Sequence, residues 1–305
     1  MIPLRRRLAY GCGPVLIILS HLGCLLLLST GLELGAALWA VGLYLARMLA
    51  TTAIYHRLIT HGSYRAPRPI WWLGSLVAAS AGQMGPSWWK AHHQQHHRHV
   101  DTPRDPHSPL QPATGWWHGL WRSQAGWLLG SSFFPEQLPA DVEADPVLRA
   151  IDRLHMLPVL ALAGLSYALG GLPWLAAFCL STTVLFHGVA TVNSAAHLWG
   201  EQPFESGDAS RNSRWVALIT LGEGWHNLHH AFPSSARQGL GLRQGEPVVL
   251  PDPTYRFILL LKQLGLASQL RLPSDQALRA RRRQSGGSTA DLIRLDSHQA
   301  SRMRA

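Results

Sequence analysis

The chain has 305 residues, 47% of them hydrophobic and 14% charged, with a formal net charge of +10. That length suits one large domain, and the odd count of three cysteines, Cys12, Cys24 and Cys179, argues against a disulfide framework. The positive charge is spread over several polar segments, which argues against a nucleic-acid partner.

In chain order, residues 13–55 hold two apolar runs, GPVLIILSHLGCLLLLST and LGAALWAVGLYLARMLATTAIY, each long enough to cross about 30 Å of hydrocarbon. Arg5, Arg6 and Arg7 precede the first run as in a signal peptide. The run lacks a clear small-x-small cleavage site, however, and a second follows at once, so a retained span is expected. Residues 70–86, IWWLGSLVAASAGQMGP, are apolar and almost long enough to span. They are expected to lie at the interface or re-enter, with Trp71, Trp72, Trp88 and Trp89 at head-group level.

A second apolar zone breaks at Gly170-Gly171-Leu172-Pro173. The expectation is therefore an all-α membrane protein with four transmembrane helices, at about 13–30, 34–55, 155–170 and 173–194, arranged as two hairpins beneath a helical cap. Lys and Arg are missing from the turns near Thr30 and Gly171 and frequent at the N-terminus, in the central loop and toward the C-terminus. The cap and both termini are thus expected to be cytoplasmic. Anionic lipid head groups, an acidic electron donor or a phosphorylated substrate suit this basic face. Residues 255–270 place Phe257, Leu260, Leu261 and Leu264 at helical spacing, which predicts an amphipathic helix packed on its own domain. The membrane domain with its cap is expected over 1–270, and the Arg-, Ser- and Gly-rich remainder, 271–305, as a disordered tail.

Three histidine clusters set the chemistry: HRLITH with His56 and His61, HHQQHHRH with His92, His93, His96, His97 and His99, and WHNLHH with His226, His229 and His230. A helix turns about 100° per residue, so His93, His96 and His97 share one stripe, as do His226, His229 and His230. His56 and His61 are five apart, well over a third of a turn on an ideal α-helix, and fit better where a helix ends. Neutral imidazole suits iron, zinc, copper or nickel. Paired cysteines and HExxH are missing, which disfavours finger, ribbon and protease zinc sites. Eight histidine ligands exceed what one ion needs and suit a dinuclear redox site. Four spans put all three clusters on one membrane side, whereas a crossing by 70–86 would part the first from the second.

Over about residues 50–239 the chain resembles the integral-membrane fatty acid desaturases, the histidine-box family. HRLITH looks like the family's HRxxxH box, and HQQHHRHVDTPRDPH like its HRxHH box with the following Asp-Pro-His. GEGWHNLHHAFPSSAR is similar to the third box, and NSAAHLWGEQPF to the family's NSxxHxxGxRPF segment. The resemblance implies a cap holding a di-iron centre of two Fe2+, ligated by His56, His61, His93, His96, His97, His197, His226, His229 and His230, with Asn193 acting through a bound water. It favours His93 over the adjacent His92. The chain departs from the pattern at Gln94, Arg104 and Gln124, where the family has Arg, His and His; none belongs to the nine-histidine set.

The resemblance also implies an O2-dependent oxidoreductase that introduces a cis double bond, at Δ9, into a saturated fatty acyl chain carried as acyl-CoA or membrane lipid. An unactivated methylene needs an oxidant stronger than any side chain, which the metals would supply. The acyl chain is expected in a bent apolar tunnel, with Trp88, Trp89 and Trp116 among candidate walls. Electrons are expected from a separate donor, a ferredoxin or a small cytochrome with its reductase. Imidazole ligands need acceptors at their other nitrogen, and Glu223, Asp101 and Asp105 are the carboxylates nearest in sequence. His99, His107 and His118 are expected to be structural or to support the ligands, His21, His155 and His187 to serve helix packing, and His298 to be no ligand. The alternatives are a hydroxylase on the same scaffold and, more remotely, a metal transporter or sensor, whose ligands would lie within the spans near the midplane.

Overall fold

A computed structural model of the chain describes residues 4–110 and 115–283. Helix α1 (Leu4–Gly23) continues through a 3₁₀ turn to Thr30 and stops at Gly31, whose φ of 67° suits a residue without Cβ. Helix α2 (Leu34–Leu49) passes directly into an 11-residue π-helix, Ala50–Thr60. Then come α3 (Arg68–Ala79), α4 (Pro86–His99), α5 (Gly115–Gln124) and α6 (Pro146–Arg153). The long α7 (Met156–Asn193) precedes the short α8 (Arg214–Ile219) and α9 (His226–Ala231), followed by α10 (Pro253–Gln263) and α11 (Asp275–Ala280).

Among the described residues, three helical stretches are long and apolar enough to cross a membrane: Leu4–Thr30, Leu34–Thr60 and Met156–Leu198. The sequence divides the third into two spans, and the backbone supplies a break where it does so. Gly170 (φ −152°, ψ 21°) and Gly171 (φ 64°, ψ −150°) leave helical geometry, giving two arms, 156–169 and 172–193. A straight helix of 38 residues would be about 57 Å long and hold its ends far apart. Instead, Asp152 just before α7 accepts from the Trp88 amide at 3.0 Å, while Asn193 at its far end lines one cavity with Trp88. The arms therefore double back. The two bends also lie together, because Trp174 Nε1 donates to Glu33 Oε1 at 3.1 Å.

Ala36 and Ala40 meet Ala177, small residues that let α2 and α7 approach closely. Leu16, Leu43, Val159, Phe178 and Cys179 fill the space among α1, α2 and α7. Their opposite faces expose Leu19, Leu28, Leu38, Val41, Leu160 and Leu165, an apolar surface suited to lipid.

Helix α3, at 12 residues, is too short to span, and both it and α4 pack on the π-helix. Asp145 caps α6 by accepting from the Val147 and Leu148 amides. Asp152 pairs with Arg6 and accepts from Tyr10 Oη at 2.6 Å, which fastens the start of α1 to the end of α6. Helix α10 buries Tyr255, Ile258 and Leu261, the last two against the π-helix; it is shorter than the expected 255–270.

The all-α expectation needs one correction, a hairpin of β1 (Leu240–Arg243) and β2 (Glu246–Val249). Its turn residues Gln244 and Gly245 have φ of 52° and 89°, the sign that a two-residue turn needs to match strand twist. The expected tail also begins as packed structure: Ser274 caps α11 at the Ala277 amide, and Leu278 is buried with Phe204 and Leu228. The rest of that tail, 284–305 with His298, lies outside the described residues.

Candidate metal centre

Four elements deliver the histidines. The π-helix and the turn after it carry His56 and His61, whose ring centroids are 4.8 Å apart. One face of α4 carries His93, His96 and His97, and the helical turn Ala195–Leu198 carries His197. Helix α9 carries His226, His229 and His230, and Asn212 Oδ1 fixes its start by accepting from the Asn227 and Leu228 amides at 3.0 and 3.2 Å.

The rings gather in two groups. His56, His61, His93 and His229 place ligand nitrogens within 4.8 Å of one another, as do His96, His197, His226 and His230. His97 links them, forming a further set with His229 and His230. The Nε2 atoms point inward, with separations of 3.1 Å for His56–His229, 2.9 Å for His61–His93 and for His97–His229, and 3.0 Å for His93–His97 and for His197–His226.

The outer nitrogens explain this orientation. His96 Nδ1 meets Asp105 at 2.9 Å, His197 Nδ1 meets Asp101 at 3.2 Å, His230 Nδ1 meets Asp208 at 2.7 Å, and His56 Nδ1 meets Glu223. An ionised carboxylate only accepts, so each of these Nδ1 atoms donates and, in a neutral ring, leaves Nε2 with an inward lone pair. Burial first, and the neighbouring rings after it, hold His61, His93, His97, His226, His229 and His230 well below the ordinary imidazole pKa. Burial alone would raise Asp105, but His96 and His107 draw it below the usual carboxylate value.

Two observations test whether metal ions fit. The Nε2 atoms of His96 and His230 are buried without a hydrogen-bond partner among the described residues. Among the described residues, no Lys or Arg forms an ion pair with Asp101, Asp105 or Asp208. Convergent lone pairs backed by carboxylates that no Lys or Arg neutralises, one of them the buried Asp105, are what a divalent cation satisfies, so the donor set fits.

All nine histidines singled out in the sequence therefore meet. Asn193 is half-buried on the wall of a cavity that also reaches His226. His92 turns away: its Nε2 lies 3.0 Å from the Ser132 carbonyl and its ring stacks on Trp88. His107 packs beside His96, whereas His99 and His118 join neither group. His21 faces His187 between α1 and α7, and His155 Nδ1 donates to the Asp152 carbonyl, as packing residues would. Gln124 donates to Ser194 Oγ at 2.9 Å.

Three supporting residues escaped sequence reasoning. Asp208 sits in a loop after His197, Gln238 meets His229 Nδ1 at 3.2 Å, and the fully buried Arg57 holds Glu223 and Asp252. Only folding brings them to the rings, although Arg57 lies inside the first histidine cluster.

A narrow cavity of about 80 Å³ opens onto the centre, with Met48, Trp88, Trp89, Val189 and Val192 on its apolar walls and His56, His93 and His226 at the metal side.

Residues 34–243 match the family described as fatty acid desaturase. The chain is 35% identical over 243 residues to the chloroplastic palmitoyl-monogalactosyldiacylglycerol delta-7 desaturase of Arabidopsis thaliana, a match covering 77% of this chain and 62% of that protein. It is 36% identical over 234 residues to the acyl-CoA C20 Delta5-desaturase of Anemone leveillei, covering 75% and 71% of the two chains. Identity to the Delta-9 desaturase-like 2 protein of Arabidopsis thaliana is 36% over 233 residues, covering 74% of each. The chain belongs to the fatty acid desaturase family of oxidoreductases.

Proposed function

We propose that this chain is an O2-dependent desaturase that introduces a cis double bond, at Δ9, into a saturated fatty acyl chain carried as acyl-CoA or membrane lipid. The cavity carries the reading, because its apolar walls end on histidines of both groups. An alkyl chain laid there would be shielded from water with its methylenes against the centre. Relatives named delta-7, Delta5 and Delta-9-like stand at 35 to 36% identity, so double-bond position rests on the Δ9-like histidine boxes.

The ligands we assign are His56, His61, His93, His96, His97, His197, His226, His229 and His230, with Asn193 acting through water. Two iron ions, when bound, supply the O2-driven hydrogen removal that no side chain performs. The protein orients and shields. Asp101, Asp105, Asp208 and Glu223 fix the rings through Nδ1, and Trp88 and Trp89 line the cavity with apolar surface.

The chain would cross the membrane four times, with both arms of α7 counted as spans. The bend at Gly170 and Gly171 and the return of both ends of α7 to the cap support that topology. The basic cap and both termini would face the cytoplasm, where a separate ferredoxin or small cytochrome with its reductase delivers electrons.

Expression in a desaturase-deficient bacterium tests the reading. With electron donor supplied, monounsaturated acyl chains with a Δ9 bond should appear. A different bond position would correct the regiochemistry, and no new unsaturation would sink the assignment.

A further inference from the structure

We infer that the two metal positions are unequal: the group of His96, His197, His226 and His230 is the tighter and fills first, with Asp208 as a positioning residue that helps make it so. This rests on reading the nine histidines as a metal centre. The asymmetry lies in what stands behind the rings.

Behind this group stand three carboxylates, Asp105 at His96, Asp101 at His197 and Asp208 at His230. Their other partners are mainly amides and hydroxyls: Asp101 accepts from the Ala209 amide and Ser108 Oγ, and Asp208 from the Ser210 amide and Ser206 Oγ. No Lys or Arg pairs with them among the described residues, so their charge is free to act on the imidazoles and on a bound cation. A carboxylate behind an imidazole fixes its tautomer and raises its basicity, which strengthens the bond to a metal.

The group of His56, His61, His93 and His229 is backed differently. Its ion-paired carboxylate among the described residues is Glu223 at His56, and Arg57 draws on that same carboxylate through Nε and Nη2 at 3.1 and 2.9 Å. His229 meets the uncharged amide of Gln238. The neighbours His229 and His230 thus take an amide and a carboxylate as partners, and that divides the centre electrostatically.

Asp208 is well placed for this role. Its loop also fixes Asp101, since the Ala209 amide donates to Asp101 Oδ2 at 2.9 Å. Asparagine in its place has the same shape and can still accept the Ser210 amide through Oδ1, but it then turns Nδ2 toward His230 Nδ1, so Asp208→Asn removes both the charge and the acceptor behind that ring.

The test is anaerobic titration of the full-length, metal-free protein in detergent with Co2+, read by its visible absorption and by elemental analysis. Wild type should take up two equivalents, the first at least about tenfold tighter than the second. Asp208→Asn should weaken the first step by about 10- to 100-fold and leave the second unchanged, and Asp208→Glu should recover part of the loss. His61→Ala should remove the weaker step alone. If Asp208→Asn fails to fold, Asp101→Asn carries the same expectation through His197. One common affinity for both equivalents in wild type, or equal weakening of both steps by Asp208→Asn, would overturn the inference while sparing the metal centre. Failure of wild type to bind Co2+ at all would overturn both.

Discussion

The amide of His61 donates to the carbonyl of His56 at 3.1 Å, five residues back. In an α-helix that bond would go to Arg57. The wider π turn swings residues five apart toward one face, and it does so where two candidate ligands must converge. Such a helix is usually brief, yet here it runs for 11 residues. Side chains support its backbone: Thr60 Oγ1 donates to the Tyr55 carbonyl at 2.7 Å and Tyr64 Oη to the Ala53 carbonyl at 3.0 Å.

His229 sits where the two groups join, its Nε2 lying 3.1 Å from that of His56 and 2.9 Å from that of His97. His229→Ala is expected to lower turnover by at least about 100-fold, more than loss of a supporting partner costs, with helical content unchanged. Product analysis and circular dichroism check this. Wild-type turnover in the variant would remove His229 from the ligand set.

Arg57 is fully buried and binds Glu223, the Ala236 carbonyl at 2.8 Å and Asp252 at 2.9 Å. Arg57→Met strands two buried carboxylates, and loss of one partner from such a network costs about 3–5 kcal/mol. Arg57→Lys should fall between, since it keeps the charge but not the planar fork. Thermal unfolding in detergent measures both, and wild-type melting in either would contradict the assigned role.

Gly224 packs directly on α8: a Cβ there would lie 2.0 Å from the Ala217 amide nitrogen and 2.6 Å from the Ser213 carbonyl oxygen, both backbone atoms that cannot swing aside. Gly224→Ala should destabilise the protein by about 1–3 kcal/mol and, by shifting α9, lower its metal content. Unfolding and elemental analysis together test this, and an unchanged result in both would refute it.

The two α-helical trios were legible because 3.6-residue periodicity places His93, His96 and His97, and likewise His226, His229 and His230, on single stripes. His56 and His61 were legible as a motif at a helix end but not as residues on one face, because a π-helix has no comparable signature in composition and changes the period itself. Hydropathy located the apolar stretches, including the break at Gly170 and Gly171, since those runs declare themselves locally. Asp101, Asp105 and Glu223 were legible by nearness to the boxes, and each meets a ring. Asp208 and Gln238 were not, because loop residues reach His230 and His229 only through tertiary folding. The hairpin at 240–249 was missed because two four-residue strands carry too little alternation to stand out.

His92, excluded from the centre, gives the fold an acid sensitivity of its own. Burial lowers its pKa to about 4, although the hydrogen bond to the Ser132 carbonyl opposes that shift. In the unfolded chain an imidazole titrates near about 6.5, so between the two values the unfolded state binds a proton that the folded state refuses. Stability is therefore lost as pH falls through that window and is fully present above it. A shift of this size corresponds to about 3 kcal/mol near pH 4. His92→Gln keeps an N–H donor for Ser132 but cannot titrate. Its stability should fall less than that of wild type between pH 7 and pH 4.5, by about 2–3 kcal/mol, even if loss of the stacking on Trp88 lowers it at neutral pH. Denaturant unfolding at the two pH values measures the difference. Parallel pH dependence in the two proteins would show that His92 enters the folded state already charged.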